Sequence, residues 1–220
     1  WLNGLLVAKL NIAPFIATLG MLYVARGFAK LITNGETFTK LAGNPNLGNT
    51  GFVTTFAAKP LGIPLPIWVM IAFAIVFSII LNRTAFGRWL YASGGNPRAA
   101  ALTGVPVTKV NIRIYALSGF CAAAVGVLFT ADLNAAIPNM GEFSELNAIA
   151  AVVIGGASLM GGVGRIVGIA LGTLVLFVVQ SGLLTMTVVQ VSPDLKQVIV
   201  AILIAAAVAV QTLQNKNGRK

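Results

Sequence analysis

The sequence predicts an all-α, polytopic integral membrane protein, and three observations carry that prediction. The 220 residues are 57% hydrophobic and only 9% charged, with a mean hydropathy of +0.90, whereas soluble domains are about a quarter charged. Apolar, nearly charge-free stretches of spanning length recur between short polar connections. The cations gather in connections and at the C-terminal end, where they hold loops on the cytoplasmic side. The net charge of +10 is therefore a topology signal and not a nucleic-acid footprint. Membrane lipid is the first partner implied, and no nucleic acid is expected.

Taken in order, Leu2–Ala8 reads as the tail of a helix with Lys9 at its cytoplasmic end. The next span covers about residues 12–32, opens near Pro14 and is interrupted by Arg26 and Lys30, which must snorkel or face protein. Residues 33–64 form a polar connection rich in Gly and Pro, placed outside. Residues 65–81 cross next, and the basic stretch 82–113 follows on the cytoplasmic side. Residues 114–131 cross back to 132–147, which carries Asp132, Glu142 and Glu145 and no base. Its opposite character supports an external position.

Residues 148–162 are short, uncharged and rich in Gly and Ala. They could cross or dip in and return, and periodicity does not decide. Residues 166–186 span, 192–196 make a polar turn, and 197–210 make the last pass to a basic tail with Lys216, Arg219 and Lys220. An external acidic loop and a cytoplasmic tail require an odd number of crossings after residue 147, so 148–162 is expected to traverse. The expectation is thus about six transmembrane segments plus a partial one, in one domain over residues 1–220. The chain opens on Trp1, already in apolar sequence and without a charged leader. It reads as the C-terminal two-thirds of a longer subunit whose earlier helices are missing.

The basic stretch has specific local grammar. Asn96 suits an N-cap and Pro97 the first helical position, and Ala99, Ala100, Ala101 and Leu102 favour helix. Gly104 fits the left-handed position past the end, and Pro106 prevents continuation. Residues 97–103 therefore read as a helix of about two turns, too short to span. It either makes a contact or merely connects two spans.

Few residues could carry chemistry. The chain has no His, one Cys (Cys121, in an apolar segment, so no intrachain disulfide forms) and five acids. No carboxylate sits mid-span, and no Gly-x-x-x-x-Gly-Lys-Ser/Thr phosphate loop occurs. Acid–base, nucleophilic and metal catalysis are left without groups, and no enzyme is expected. Gly164, Gly168 and Gly172 fall at i, i+4 and i+8, one small stripe on a helix face; Gly155, Gly156, Gly161 and Gly162 precede it. Tight helix packing is the favoured reading over a direct ligand role. Arg26 either pairs with an acid or a carbonyl at the outer end or lines a polar pathway.

A set of short motifs extends across nearly the whole chain: Asn3–Gly4, Pro14 to Gly20, Arg26–Gly27, Gly35, Phe86–Gly87–Arg88, Gly94 to Ala100, Gly104, Tyr115, Ser118–Gly119, Glu145 to Ala150, Gly155–Gly156 and Gly161 to Gly164. In these the chain resembles the membrane-spanning permease subunit of bacterial ATP-binding-cassette sugar importers of the ribose, xylose and arabinose type. The resemblance implies that Asn96–Leu102, with Gly94 and Gly104 at its flanks, is the coupling helix that docks on a cassette ATPase subunit. ATP and Mg would be bound by that subunit, and no cofactor by this chain. It further implies a periplasmic sugar-binding protein at the external loops, a second permease copy, like or unlike, and residence in the bacterial inner membrane with a cytoplasmic C-terminus. The sugar itself is not named by the residues. Members normally carry roughly another hundred residues before the equivalent of Trp1. Ala157–Ser158 stands where relatives often have Thr. The competing reading from a different class is a passive channel or facilitator, in which the basic stretch is a topology signal alone.

Overall fold

A computed structural model describes residues 1–41, 56, 58–159, 161–185 and 202. Its helices are α1 (Leu2–Ala8), α2 (Pro14–Thr33), α3 (Leu65–Arg83), α4 (Ala85–Gly95), α5 (Pro97–Leu102), α6 (Val107–Asp132), α7 (Ser144–Ile154) and α8 (Ile166–Thr185). A 3-10 turn lies at Pro60–Gly62, and two-residue strands β1 (Phe38–Thr39) and β2 (Ala135–Ala136) form the sheet among the described residues. Residues 42–55 and 57 of the 33–64 connection, the polar turn at 192–196, the last pass at 197–210 apart from residue 202, and the basic tail lie outside the described residues.

Among the described residues three helices are long and apolar enough to cross a membrane: α2, α3 and α6. Their 20, 19 and 26 residues rise roughly 30, 28 and 39 Å at about 1.5 Å per residue, against a hydrocarbon core of about 30 Å. The chain is an all-α, polytopic, membrane-embedded protein. The side chains on these helices agree. Phe15, Tyr23, Phe28 and Leu31 of α2 and Ile75 and Ile79 of α3 are exposed apolar groups, as lipid-facing surfaces require. The described residues divide into two compact units, residues 1–73 with 104–142 and residues 74–103 with 143–220.

In the first unit α1 packs on α2 and α6. Gly4 makes that approach possible, since a Cβ there would lie 2.7 Å from the Ile112 Cα. Pro14 occupies the first turn of α2, where its missing N–H costs nothing. Asn34 in the left-handed region closes the helix, and the Gly35 N–H donates to the Lys30 carbonyl at 3.0 Å. β1 and β2 pair antiparallel, with Phe38 opposite Ala136 and Thr39 opposite Ala135. The connections leaving α2 and α6 are thereby joined on one side, as the placement of 33–64 and 132–147 requires.

The second unit holds α4, α5 and the α7–α8 pair. α7 and α8 run antiparallel, with Gly155 against Gly168, Ala151 against Gly172 and Asn147 against Gln180. Ala150, Ala151 and Leu176 are buried between them, and Ile154 packs alongside. The span expected over 148–162 is helical only to Ile154. α7 has 11 residues and rises roughly 16 Å, about half a hydrocarbon core. Gly155 and Gly156 stop it, Gly156 standing at φ +80°, and the described residues from there to Arg165 are not helical.

Candidate functional site

The basic stretch folds as a corner of two helices. Thr84 begins α4, its hydroxyl accepting from the Gly87 N–H at 3.3 Å and donating to the Ile80 carbonyl at 2.6 Å. α4 ends where the Asn96 N–H donates to the Ala92 carbonyl, and the Asn96 side chain then accepts from the Ala99 N–H at 3.1 Å to begin α5. Pro97 takes the first position of α5, Thr103 caps its end, and Gly104 follows at φ +85°. Asn96, Pro97 and Gly104 therefore hold the geometry their residue types suggest. Ala100 is the buried residue of α5; Pro97, Arg98, Ala99 and Ala101 are exposed, and Leu102 is 90% exposed. α5 is thus held on the side of Ala100 and exposed along the rest of its length.

Gly94 brings that corner against the turn between α7 and α8. A Cβ on Gly94 would stand 2.6 Å from the Gly162 nitrogen, and one on Gly162 would stand 2.9 Å from the Gly95 Cα. Only bare backbone fits on both sides. Gly161 and Gly162 stand at φ +88° and +75°, conformations that L side chains rarely adopt. The Ser158 N–H donates to the Val163 carbonyl at 2.9 Å across the turn. Tyr91, which no sequence motif singled out, donates its hydroxyl to the Gly164 carbonyl at 2.8 Å. Its one sequence signal is a tyrosine a helical turn before a glycine. An open recess of about 630 Å³ beside this contact is lined by Tyr91, Gly155, Gly156, Gly162 to Arg165, Val167 and Gly168.

The glycine stripe differs in one member from its expected form. α8 starts at Ile166, so Gly164 lies in the turn and not on the helix, because the left-handed Gly161–Gly162 pair delays helix formation. Gly168 and Gly172 do share a face of α8. Cβ atoms there would run into the Gly155 and Ala151 carbonyl oxygens, which makes the stripe a packing surface. Gln180, another residue without a motif, donates to the Asn147 side-chain carbonyl at 3.2 Å across the hairpin. Among the described residues no cluster of His, Cys, Asp or Glu could hold a metal ion.

In the other unit Arg26 pairs with Glu142 at 3.6 Å, with both side chains partly exposed. Its partner thus comes from the 132–147 connection.

Comparison with known proteins shows what the chain is similar to. The family described as "Branched-chain amino acid transport system / permease component" matches residues 1–208. The ribose import permease protein RbsC of Bacillus subtilis is 44% identical over 181 residues, covering 82% of this chain and 55% of that protein. The ribose import permease protein RbsC of Escherichia coli K12 is 38% identical over 215 residues, 94% of this chain and 63% of the relative. The L-arabinose transport system permease protein AraH of Escherichia coli K12 is 35% identical over 217 residues, 99% and 63%. The chain thus spans less than two-thirds of the length of these relatives. No solved structure matches it.

Proposed function

The chain belongs to the family of permease components of branched-chain amino acid transport systems, and on that premise we propose that it forms the membrane pathway of an ATP-binding-cassette importer for a monosaccharide or related polyol. The relatives named for ribose and L-arabinose supply the substrate class. The observation that carries the reading is α5: a six-residue helix closed at both ends, anchored by Ala100 and otherwise free. Such an element suits the coupling helix of a permease, received by a groove on a cassette ATPase that binds ATP and Mg. This chain would then be non-catalytic, and hydrolysis would reside on the partner.

Orientation follows from charge and length. The stretch 82–113 holds Arg83, Arg88, Arg98, Lys109 and Arg113 without an acid, which supports a cytoplasmic position for α4 and α5, in our reading at the bacterial inner membrane. α3 and α6 each reach across, so the connections clasped by β1 and β2 face the periplasm, where a sugar-binding protein would dock. On this topology α7 and the non-helical residues after it complete one crossing, and the C-terminus is cytoplasmic. A second permease copy would complete the pathway.

The test is purification of the full-length permease from its own membranes in mild detergent, beside a variant with residues 96–102 scrambled. Co-purification of a cassette ATPase with the native permease and its loss from the variant are expected. A folded native permease that comes down alone, and equilibrates ribose or L-arabinose across vesicles without ATP, would sink the importer reading in favour of a facilitator.

A further inference from the structure

We propose that Tyr91 and Gly94 form the joint through which displacement of α5 reaches the α7–α8 hairpin, which makes Tyr91 a positioning residue for transport. The inference rests on the permease reading above. Displacement imposed on the free faces of α5 must leave through its anchored side, and α5 is fused to α4 at Asn96, which closes one helix and opens the other. α4 in turn meets the 161–164 turn backbone against backbone, because Gly94 lacks the Cβ that would stand 2.6 Å from the Gly162 nitrogen. No side chain lies between the two segments to absorb a shift by changing rotamer, and contacts of interior density transmit strain.

Backbone contact alone resists compression but not sliding. The Tyr91 hydroxyl on the Gly164 carbonyl at 2.8 Å resists sliding, since Tyr91 and Gly94 lie three apart on one face of α4 and grip both ends of the turn. The turn is stiff in its own right, held by the Ser158–Val163 hydrogen bond. Beyond it the contact continues without a gap, from Gly155 on Gly168 to Ala151 on Gly172. A push on α4 therefore moves the hairpin as a body.

Three variants separate a transmitting joint from static packing. Tyr91→Phe removes one oxygen and leaves the ring. Gly94→Ala places a methyl against Gly162. Gly95→Ala adds the same methyl one residue on, where its Cβ meets nothing within 4 Å. Each is assembled with the ATPase and binding protein that co-purify with the full-length permease and reconstituted in vesicles. Uptake of radiolabelled ribose and L-arabinose is measured beside ATP hydrolysis.

Tyr91→Phe and Gly94→Ala are expected to keep stimulated hydrolysis while sugar carried per ATP falls, for Tyr91→Phe about fivefold, the bias that one neutral hydrogen bond supplies. Gly95→Ala is expected to match the native ratio. An unchanged ratio in the first two variants, uptake and hydrolysis falling in parallel, or failure of both to assemble would each overturn the joint. A native complex that neither hydrolyses ATP nor carries either sugar would instead overturn the permease reading.

Discussion

Replacing Gly172 with Ala tests the packing of α7 on α8 most directly. A Cβ at this position would collide with the Ala151 carbonyl oxygen and stand 2.6 Å from the Gly155 nitrogen and 2.9 Å from its Cα. Ordinary contact begins near 3.5 Å, so the helices must part by more than about 0.9 Å along a face held by backbone atoms. Overpacking of this kind costs about 1–3 kcal/mol. Because every colliding partner is backbone, the upper part of that range applies, about 2–3 kcal/mol; alanine's better helix propensity returns about 1 kcal/mol, which leaves a net cost of about 1–2 kcal/mol. At roughly 2–4 °C per kcal/mol for a chain of this size, the apparent melting temperature in detergent should fall by about 2–8 °C. Gly126→Ala in α6, whose Cβ meets nothing within 4 Å, is the matched control and should leave melting unchanged or raise it. A Gly172→Ala permease that melts at or above the native temperature would show that α7 and α8 do not approach as described.

Three further outcomes are expected. Asn96→Ala should cost about 1 kcal/mol locally through loss of the α5 cap, seen as weaker ATPase co-purification, whereas Asn96→Asp should retain it. Gly104→Val should abolish uptake at normal expression. Its Cβ would meet nothing within 4 Å, so the whole effect comes from φ +85°, with strain of more than about 1 kcal/mol; normal uptake would refute it, and Gly104→Asn should be milder. A double-mutant cycle of Arg26→Ala and Glu142→Ala, read by thermal melting, should return a coupling of no more than about 1 kcal/mol, because the pair is half-exposed and screened by water. A much larger value would mean the pair is shielded in the assembled protein.

What the sequence made legible was whatever a few adjacent residues decide. The order Asn96, Pro97, Gly104, Pro106 spells a capped short helix, and the structure builds α5 with those caps. Spanning segments were legible because exclusion of charge over about 20 residues is a property of one stretch. The half-length of α7 was not. Gly155 and Gly156 serve equally well as packing residues within a helix or as its stop, and the choice depends on α8 lying against them. Tyr91 was silent for the same reason, since its partner is 73 residues away and hydrogen-bonds through a carbonyl that any residue would supply. Arg26 stood between, conspicuous as a charge in an apolar run but without a local clue that Glu142 would meet it.

Asn96 has a consequence for the family's history as well as for this molecule. Because its N–H finishes α4 and its side chain starts α5, the two helices share a single punctuation mark. Neither can grow or shrink by a residue without misplacing the other's terminus and rotating every face beyond it by about 100°. Point substitutions can be absorbed here, but insertions and deletions between Thr84 and Gly104 should be purged. Among sequences descended from a common ancestor, this interval should keep constant length while the connections at 33–64 and 132–147 drift freely in size.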